Sequence, residues 1–214
     1  MSSSQVENKI LSPVKQPIIN FAGEKVALGP LRQELVPLYN RWNNDFAINY
    51  TTRSMRPVTL EEETEAFERF SKEKSMVIFT IYEKAALQPI GFTYLSDIVE
   101  QKAEFGIVIG EREFQGKGCG TETTKLMLDY GFNILNLHNI MLKAFAYNEA
   151  GIRAYQKAGF QEIGRRREVK MINGKRYDMI YMDCLATEFH SPVLKAFLDK
   201  VQDNFTLCHD DYNE

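Results

Sequence analysis

The chain lacks what would mark a disulfide scaffold, a membrane span or a nucleic-acid binder. Its three cysteines, Cys119, Cys184 and Cys208, are odd in number and far apart. A disulfide framework is therefore excluded, and a reducing compartment is expected. The three histidines, His138, His190 and His209, share no metal-ligand spacing, so no metal is expected. No stretch approaches the roughly 18 consecutive apolar residues of a membrane helix. The first residues show no apolar core of a secretory leader. A cytoplasmic protein with no membrane partner is the expectation. Basic residues are not in excess: 26 Lys and Arg stand against 29 Asp and Glu, a formal net charge of −3. Nucleic-acid binders are usually basic, so no nucleic-acid partner is expected. No internal repeat is found. What is present is ordinary for a globular chain with a real core, 44% hydrophobic and 26% charged. A length of 214 residues suits one domain with extensions.

The informative stretch is Gln115-Gly116-Lys117-Gly118-Cys119-Gly120-Thr121-Glu122. An apolar run, Phe105 to Ile109, precedes it. Leu126, Met127, Tyr130 and Ile134 follow at the spacing of one helical face. The order is strand, glycine loop, helix. Glycines let a backbone approach a ligand closely. The helix behind them offers unpaired N–H groups and a positive dipole end, which suit a phosphate. The loop reads as a cradle for a pyrophosphate. It is not a Walker loop, and its glycine spacing and mid-chain place do not fit a dinucleotide fingerprint.

A second motif lies downstream. From Asn139 to Tyr147, Ile140, Leu142, Ala144 and Ala146 alternate with Met141, Lys143, Phe145 and Tyr147, as in a strand. Asn148 then suits a helix N-cap, Tyr155 lies two turns in, and Gly159-Phe160 closes the helix. Gln115, Gly118 and Gly120 meet the pattern Q/R-x-x-G-x-G/A. With Asn148, Tyr155 and Gly159-Phe160 in order behind it, the chain resembles the GNAT superfamily of acetyl-CoA-dependent N-acetyltransferases over roughly residues 20 to 187. Ile172-Asn173-Gly174, with Asp178 after it, resembles the ribosomal-protein and spermidine acetyltransferase branches.

The resemblance implies an α/β fold, a strongly twisted mixed sheet of about seven strands with helices on both faces. It implies acetyl transfer from acetyl-CoA to a primary amine by direct attack in a ternary complex. The acceptor would be a small molecule such as a polyamine or a drug, or a protein N-terminus. It implies that main-chain N–H groups of a bulged strand at Ile107 and Ile109 polarise the thioester, and that the pantetheine arm pairs with that strand, Val108 included. Asn148 would hold a pantetheine amide. Gln115, Gly116, Lys117, Gly118, Cys119, Gly120 and Thr121 would surround the pyrophosphate. The Lys117 side chain is either an added charge or simply solvated, and Cys119 a small filler. Tyr155 takes the place of the acid that returns a proton to the leaving thiolate, a task within reach of a phenol with a pKa of about 10. Glu104, at the start of the strand feeding the loop, is the expected base, acting through water; Asp45 is the second candidate. Trp42 and Asp45 would border the acceptor, unless Trp42 is core and Asp45 a helix-end residue. The alternative from another class is an acyl-CoA-binding regulatory protein that kept the cradle and lost the chemistry.

The remaining chain divides into an N-terminal arm over residues 1–20, the domain over 21–187, and a tail over 188–214. Expected elements in the domain include a first strand from Glu24 to Leu28, a helix from Gln33 to Asn43, and a helix opened by the capping box Thr59 to Glu62. The acids at Glu61, Glu62, Glu63 and Glu65 either draw a cationic substrate or form a solvated face. In the tail, Val193, Leu194, Phe197, Leu198, Val201 and Phe205 form a helical apolar stripe. It must be covered, either by its own domain or by a second subunit in a homodimer or larger homo-oligomer.

Overall fold

The computed structural model describes residues 16–52, 56–190 and 193–194. Among them one eight-stranded sheet runs in the order β1-β2-β3-β4-β5-β6-β8-β7. Its strands are β1 (Phe21–Ala22), β2 (Val26–Pro30), β3 (Val77–Glu83), β4 (Pro89–Val99), β5 (Lys102–Ile109), β6 (Asn139–Phe145), β7 (Gln161–Ile172) and β8 (Lys175–Leu185). Every neighbouring pair is antiparallel except β5 and β6. The strand beyond the expected seven is β1, whose two residues are too short to show a period.

The first helical stretch comes in pieces. A 3-10 turn at Gln33–Leu35 leads into α1 (Val36–Asn43), with Pro37 in its first turn. A single turn follows, α2 (Phe46–Asn49), whose N-cap Asp45 accepts from the Ala47 N–H at 2.8 Å. The capping box at α3 (Leu60–Phe70) is complete: Thr59 accepts from the Glu62 N–H at 3.1 Å and Glu62 from the Thr59 N–H at 3.0 Å. The first strand starts at Val26 rather than Glu24 for a specific reason. The Glu122 carboxylate takes the N–H groups of Glu24, Lys25 and Val26, each at 2.8 Å. That contact ties the start of α4 (Cys119–Asn133) to the strand layer.

The topology opens a gap where chemistry can sit. The parallel pairing of β5 with β6 covers Lys102↔Asn139, Ala103↔Ile140 and Glu104↔Met141, then stops. Both strands continue, each held on its other edge by β4 or β8. Behind the gap stands α5 (Glu149–Ala158). Its Tyr155 packs edge-on to Phe105 at 6.2 Å, and Phe160 lies 5.9 Å from the same ring. The expected bulge is elsewhere. The β4–β5 register is unbroken from Gly91↔Ile109 to Ser96↔Glu104, and the irregularity falls between Ser96 and Val99. Unpaired N–H groups arise here because β6 departs.

The main core lies between the sheet and α4 with α5, where Leu126, Met127, Leu128, Ile140, Ile180 and Met182 are fully buried. A smaller cluster of Val36, Tyr39, Trp42 and Ile48 fills the other face. Of the tail, Val193 and Leu194 are described, and their N–H groups reach Asp129 Oδ2 at 3.0 and 2.8 Å. Phe197, Leu198, Val201 and Phe205 lie outside the described residues, as do residues 1–15. Asp129 is fully buried in α4, and its Oδ1 accepts from Asn133 at 2.8 Å. Asp129→Ala would leave several donors without an acceptor. We expect a loss of about 3 kcal/mol, a Tm drop of roughly 10 °C. Thermal unfolding checks this, and a shift under about 2 °C would show that the contact is dispensable.

Candidate active site

A cavity of about 450 Å³ occupies the gap between β5 and β6. One end is the glycine loop. Gly116 and Gly118 have φ of 72° and 89°, a left-handed backbone that side chains resist. Gly118 is the N-cap of α4, and no side chain caps that helix end. The amides of its first turn therefore face the cavity with the dipole behind them. Gly116, Gly118, Gly120 and Thr121 line this end. Lys25 steadies it from outside, its ammonium donating to the Lys117 carbonyl at 3.0 Å. Lys117 does not line the cavity; its ammonium lies 5.7 Å from the centre of the Phe114 ring. Cys119 is a buried filler whose thiol is pushed up by burial.

The floor is the free edge of β5, with Ile107, Val108 and Ile109 lining it. The direction of their N–H groups follows from strand geometry. Gly110 donates to the Ile90 carbonyl of β4 at 2.8 Å, so its odd-numbered neighbours point the other way. The Ile109 carbonyl points off β4 and accepts from Gln115 Nε2 at 2.9 Å. The N–H groups of Ile107 and Ile109 share that side, beyond the last pairing with β6.

The opposite wall comes from α5. Asn148 caps it, accepting from the Gly151 N–H at 3.1 Å, which leaves its amide N–H₂ free of that role. Tyr155 is partly buried on the same wall. Burial, with Tyr94 nearby, pushes its phenol up to about 12. Arg153 and Lys157 add two cations at the helical spacing that sets them on one face. The remaining wall is α2 and its exit, through Ala47, Ile48, Thr51 and Thr52. Sequence reasoning missed all six of these residues. The spacing of Arg153 and Lys157 from Asn148 on one helix was the available signal; for the α2 wall it was the resemblance, which set the first helix and the loop after it beside the acceptor.

Three expected residues sit apart from this cavity. Glu104 is the last β5 residue paired with β6, and its carboxylate holds Lys143 of β6 at 2.5 Å. Trp42 is 1% exposed, stacked on Phe92, with its indole N–H donating to Glu111 at 3.0 Å. Asp45 accepts from Arg112 at 2.7 and 2.9 Å, and this pairing first, then the Ala47 N–H, holds its carboxyl below the usual range. Trp42 and Asp45 border a second hollow, with Glu111 and Arg112. The structure thus joins the glycines of the cradle with Gln115 and Thr121, the β5 edge, Asn148 and Tyr155, and leaves Glu104, Trp42 and Asp45, like Lys117 and Cys119, outside the cavity lining.

A cradle of free amides, an open strand edge and a phenol within one cavity suit a pyrophosphate-bearing thioester. The profile described as the acetyltransferase (GNAT) domain matches residues 25–161. The chain belongs to the GNAT acetyltransferase family. A spermidine N(1)-acetyltransferase of Escherichia coli is 33% identical over 174 residues, 75% of this chain and 86% of that one. The human alpha/beta-tubulin N-acetyltransferase 9 is 31% identical over 156 residues, 66% of this chain and 74% of that one. Among solved structures, a spermidine N-acetyltransferase of Vibrio cholerae in complex with CoA and spermine superposes with a TM-score of 0.72. It is 28% identical, over 78% of this chain and 99% of that one.

This GNAT enzyme takes an acetyl group from acetyl-CoA and transfers it to an amine. The comparisons give the non-catalytic alternative no support. Its mixed sheet with flanking helices matches the fold of the solved relative. Among the described residues no helix is long and apolar enough to cross a membrane.

Proposed function

We propose that this enzyme acetylates a primary amine of a polyamine of the spermidine type. The observation carrying the reading is the single cavity that joins the α4 amides to Tyr155 along the β5 edge. Two relatives named for spermidine support the acceptor class. When bound, acetyl-CoA supplies the acetyl group as a thioester. The chain's own groups have separable roles. The amides from Gln115 to Thr121, with the α4 dipole, hold the pyrophosphate. Asn148 holds a pantetheine amide. The N–H groups of Ile107 and Ile109 meet charge developing on the carbonyl oxygen. Tyr155 supplies the proton that the departing sulfur takes up.

The balance is simple. A bond forms from nitrogen to the carbonyl carbon, the carbon–sulfur bond breaks, and one proton leaves nitrogen while one reaches sulfur. An amine with a pKa of about 10 arrives protonated and must first lose a proton. Glu104, at the point where β5 and β6 part, fits a water-relayed base. Its carboxylate is paired with Lys143 of β6 at 2.5 Å. We read Trp42 and Asp45 as residues that fix α2 from behind, since both face the second hollow. We also place the enzyme in the cytoplasm, which the free, buried Cys119 and Cys184 support.

The test is CoA release from acetyl-CoA against spermidine, spermine, an aminoglycoside and short peptides with free N-termini. A strong response to the polyamines, well above the others, is expected. A response confined to the peptides would move the acceptor to protein N-termini; the relative named for tubulin favours a protein acceptor.

A further inference from the structure

Tyr147 stands between the end of β6 and Asn148, the N-cap of α5, and has no role in the proposed reaction. Its hydroxyl donates to the main-chain carbonyl of Tyr50 at 2.6 Å, across 97 positions of sequence. The ring is fixed on three sides. It stacks on Phe145 at 5.3 Å with an interplanar angle of 8°, meets Tyr177 edge-on at 4.8 Å, and touches the Tyr50 ring at 5.1 Å. Burial pushes the Tyr147 phenol to about 12, so its donor proton is in place at any working pH.

The partner explains why this matters. Tyr50 is the C-cap of α2, a single turn whose Ile48 and Asn49 carbonyls accept from the N–H groups of Thr51 at 3.2 Å and Thr52 at 3.0 Å, and the carbonyl of Tyr50 itself is the one that Tyr147 reaches. A helix this short has no stability of its own. Its N-cap is held by the Asp45–Arg112 pair and its middle by Ile48 in the smaller core. The exit is held by Tyr147. That exit, with Thr51 and Thr52, forms the cavity wall facing α5.

We propose that Tyr147 is a positioning residue for the acceptor: by holding the Tyr50 carbonyl it fixes the α2 exit as the acceptor-side wall of the cavity. The inference rests on the acetyltransferase reading and adds to it a residue that acts through the wall. It differs from a packing role in a measurable way. Tyr147→Phe keeps the ring and its stacking and removes the donor, so the fold is retained while the wall loosens.

Two readouts decide it. In steady state, Tyr147→Phe is expected to raise the spermidine KM about tenfold, with kcat and the acetyl-CoA KM within about twofold of wild type. By hydrogen exchange, the peptide spanning residues 46–52 is expected to exchange about tenfold faster, with the β6 peptide unchanged. Unchanged exchange in 46–52, or an acetyl-CoA KM that rises in step with the acceptor KM, overturns the proposal. Should wild type leave spermidine untouched, the acceptor assignment falls. The exchange comparison then decides the role of Tyr147 by itself.

Discussion

Tyr155→Phe is expected to lower kcat by about two to three orders of magnitude while leaving the acetyl-CoA KM within about twofold. The substitution is clean because the ring has separate work. It packs edge-on to Phe105 and Phe160, each 6.2 Å away, and a phenylalanine ring keeps both contacts. Only the hydroxyl is lost, from a residue that lines the cavity proposed for the thioester. The phenol at about 12 fixes the sign of the pH dependence. A group whose pKa is raised stays protonated until pH climbs past the raised value, so Tyr155 is loaded as a donor across the working range. The wild-type rate should therefore climb toward about pH 10 as the acceptor amine loses its proton, with no alkaline fall set by Tyr155. Rates from pH 6.5 to 10.5 in both proteins check this. A variant with near-wild-type kcat would remove Tyr155 from the mechanism. An alkaline fall near pH 9 that vanishes in the variant would show that the phenol titrates far lower than its burial dictates.

What was legible in the sequence was what the local backbone demands. The loop could be read because left-handed turns at Gly116 and Gly118 admit few residues other than glycine. Asn148 and Thr59 could be read because an exposed helix start needs an acceptor close by in the chain. Asn173 and Gly174 form the turn between β7 and β8 for the same kind of reason: both have a left-handed backbone, which this residue pair tolerates. The parts that stayed hidden depend on partners far apart. Nothing near Glu122 says that its carboxylate will collect three amides from residues 24–26. Nothing near Tyr50 names Tyr147. Trp42 and Asp45 show the same limit from the other side. The resemblance put them beside the acceptor, but it could not say which hollow they would face. The packing of Trp42 on Phe92 and the Asp45–Arg112 pair decided that. Glu104 was placed correctly on its strand, yet its partner Lys143 comes from β6, whose register with β5 the sequence does not state.

Gly120→Asp is expected to raise the acetyl-CoA KM about thirtyfold without lowering Tm, and the separation of those two effects is the point. Gly120 lies in the first turn of α4 and lines the cradle. Unlike Gly118 it needs no left-handed backbone, and an added Cβ would come no nearer than 3.9 Å to Ile109. The folded protein accepts a side chain there. An acidic residue in the first turn of a helix is even favoured by the dipole. The bound pyrophosphate would meet that carboxylate among the amides meant for it. Two like charges about 4 Å apart cost about 4 kcal/mol at an effective dielectric of 20. The cavity is open to solvent and salt, so about half of that is expected to survive, which gives the thirtyfold figure. Gly120→Ala supplies the control: its methyl adds bulk and no charge, and Ala is the better helix former by about 1 kcal/mol. Tm should hold or rise, and KM should move only a few-fold. Raising the ionic strength should recover part of the binding in the aspartate variant and little in the alanine one. If both variants bind acetyl-CoA like wild type, the pyrophosphate lies elsewhere. The open amides of α4 would then be left without a ligand, and the assignment of residues 115 to 121 would fall with them.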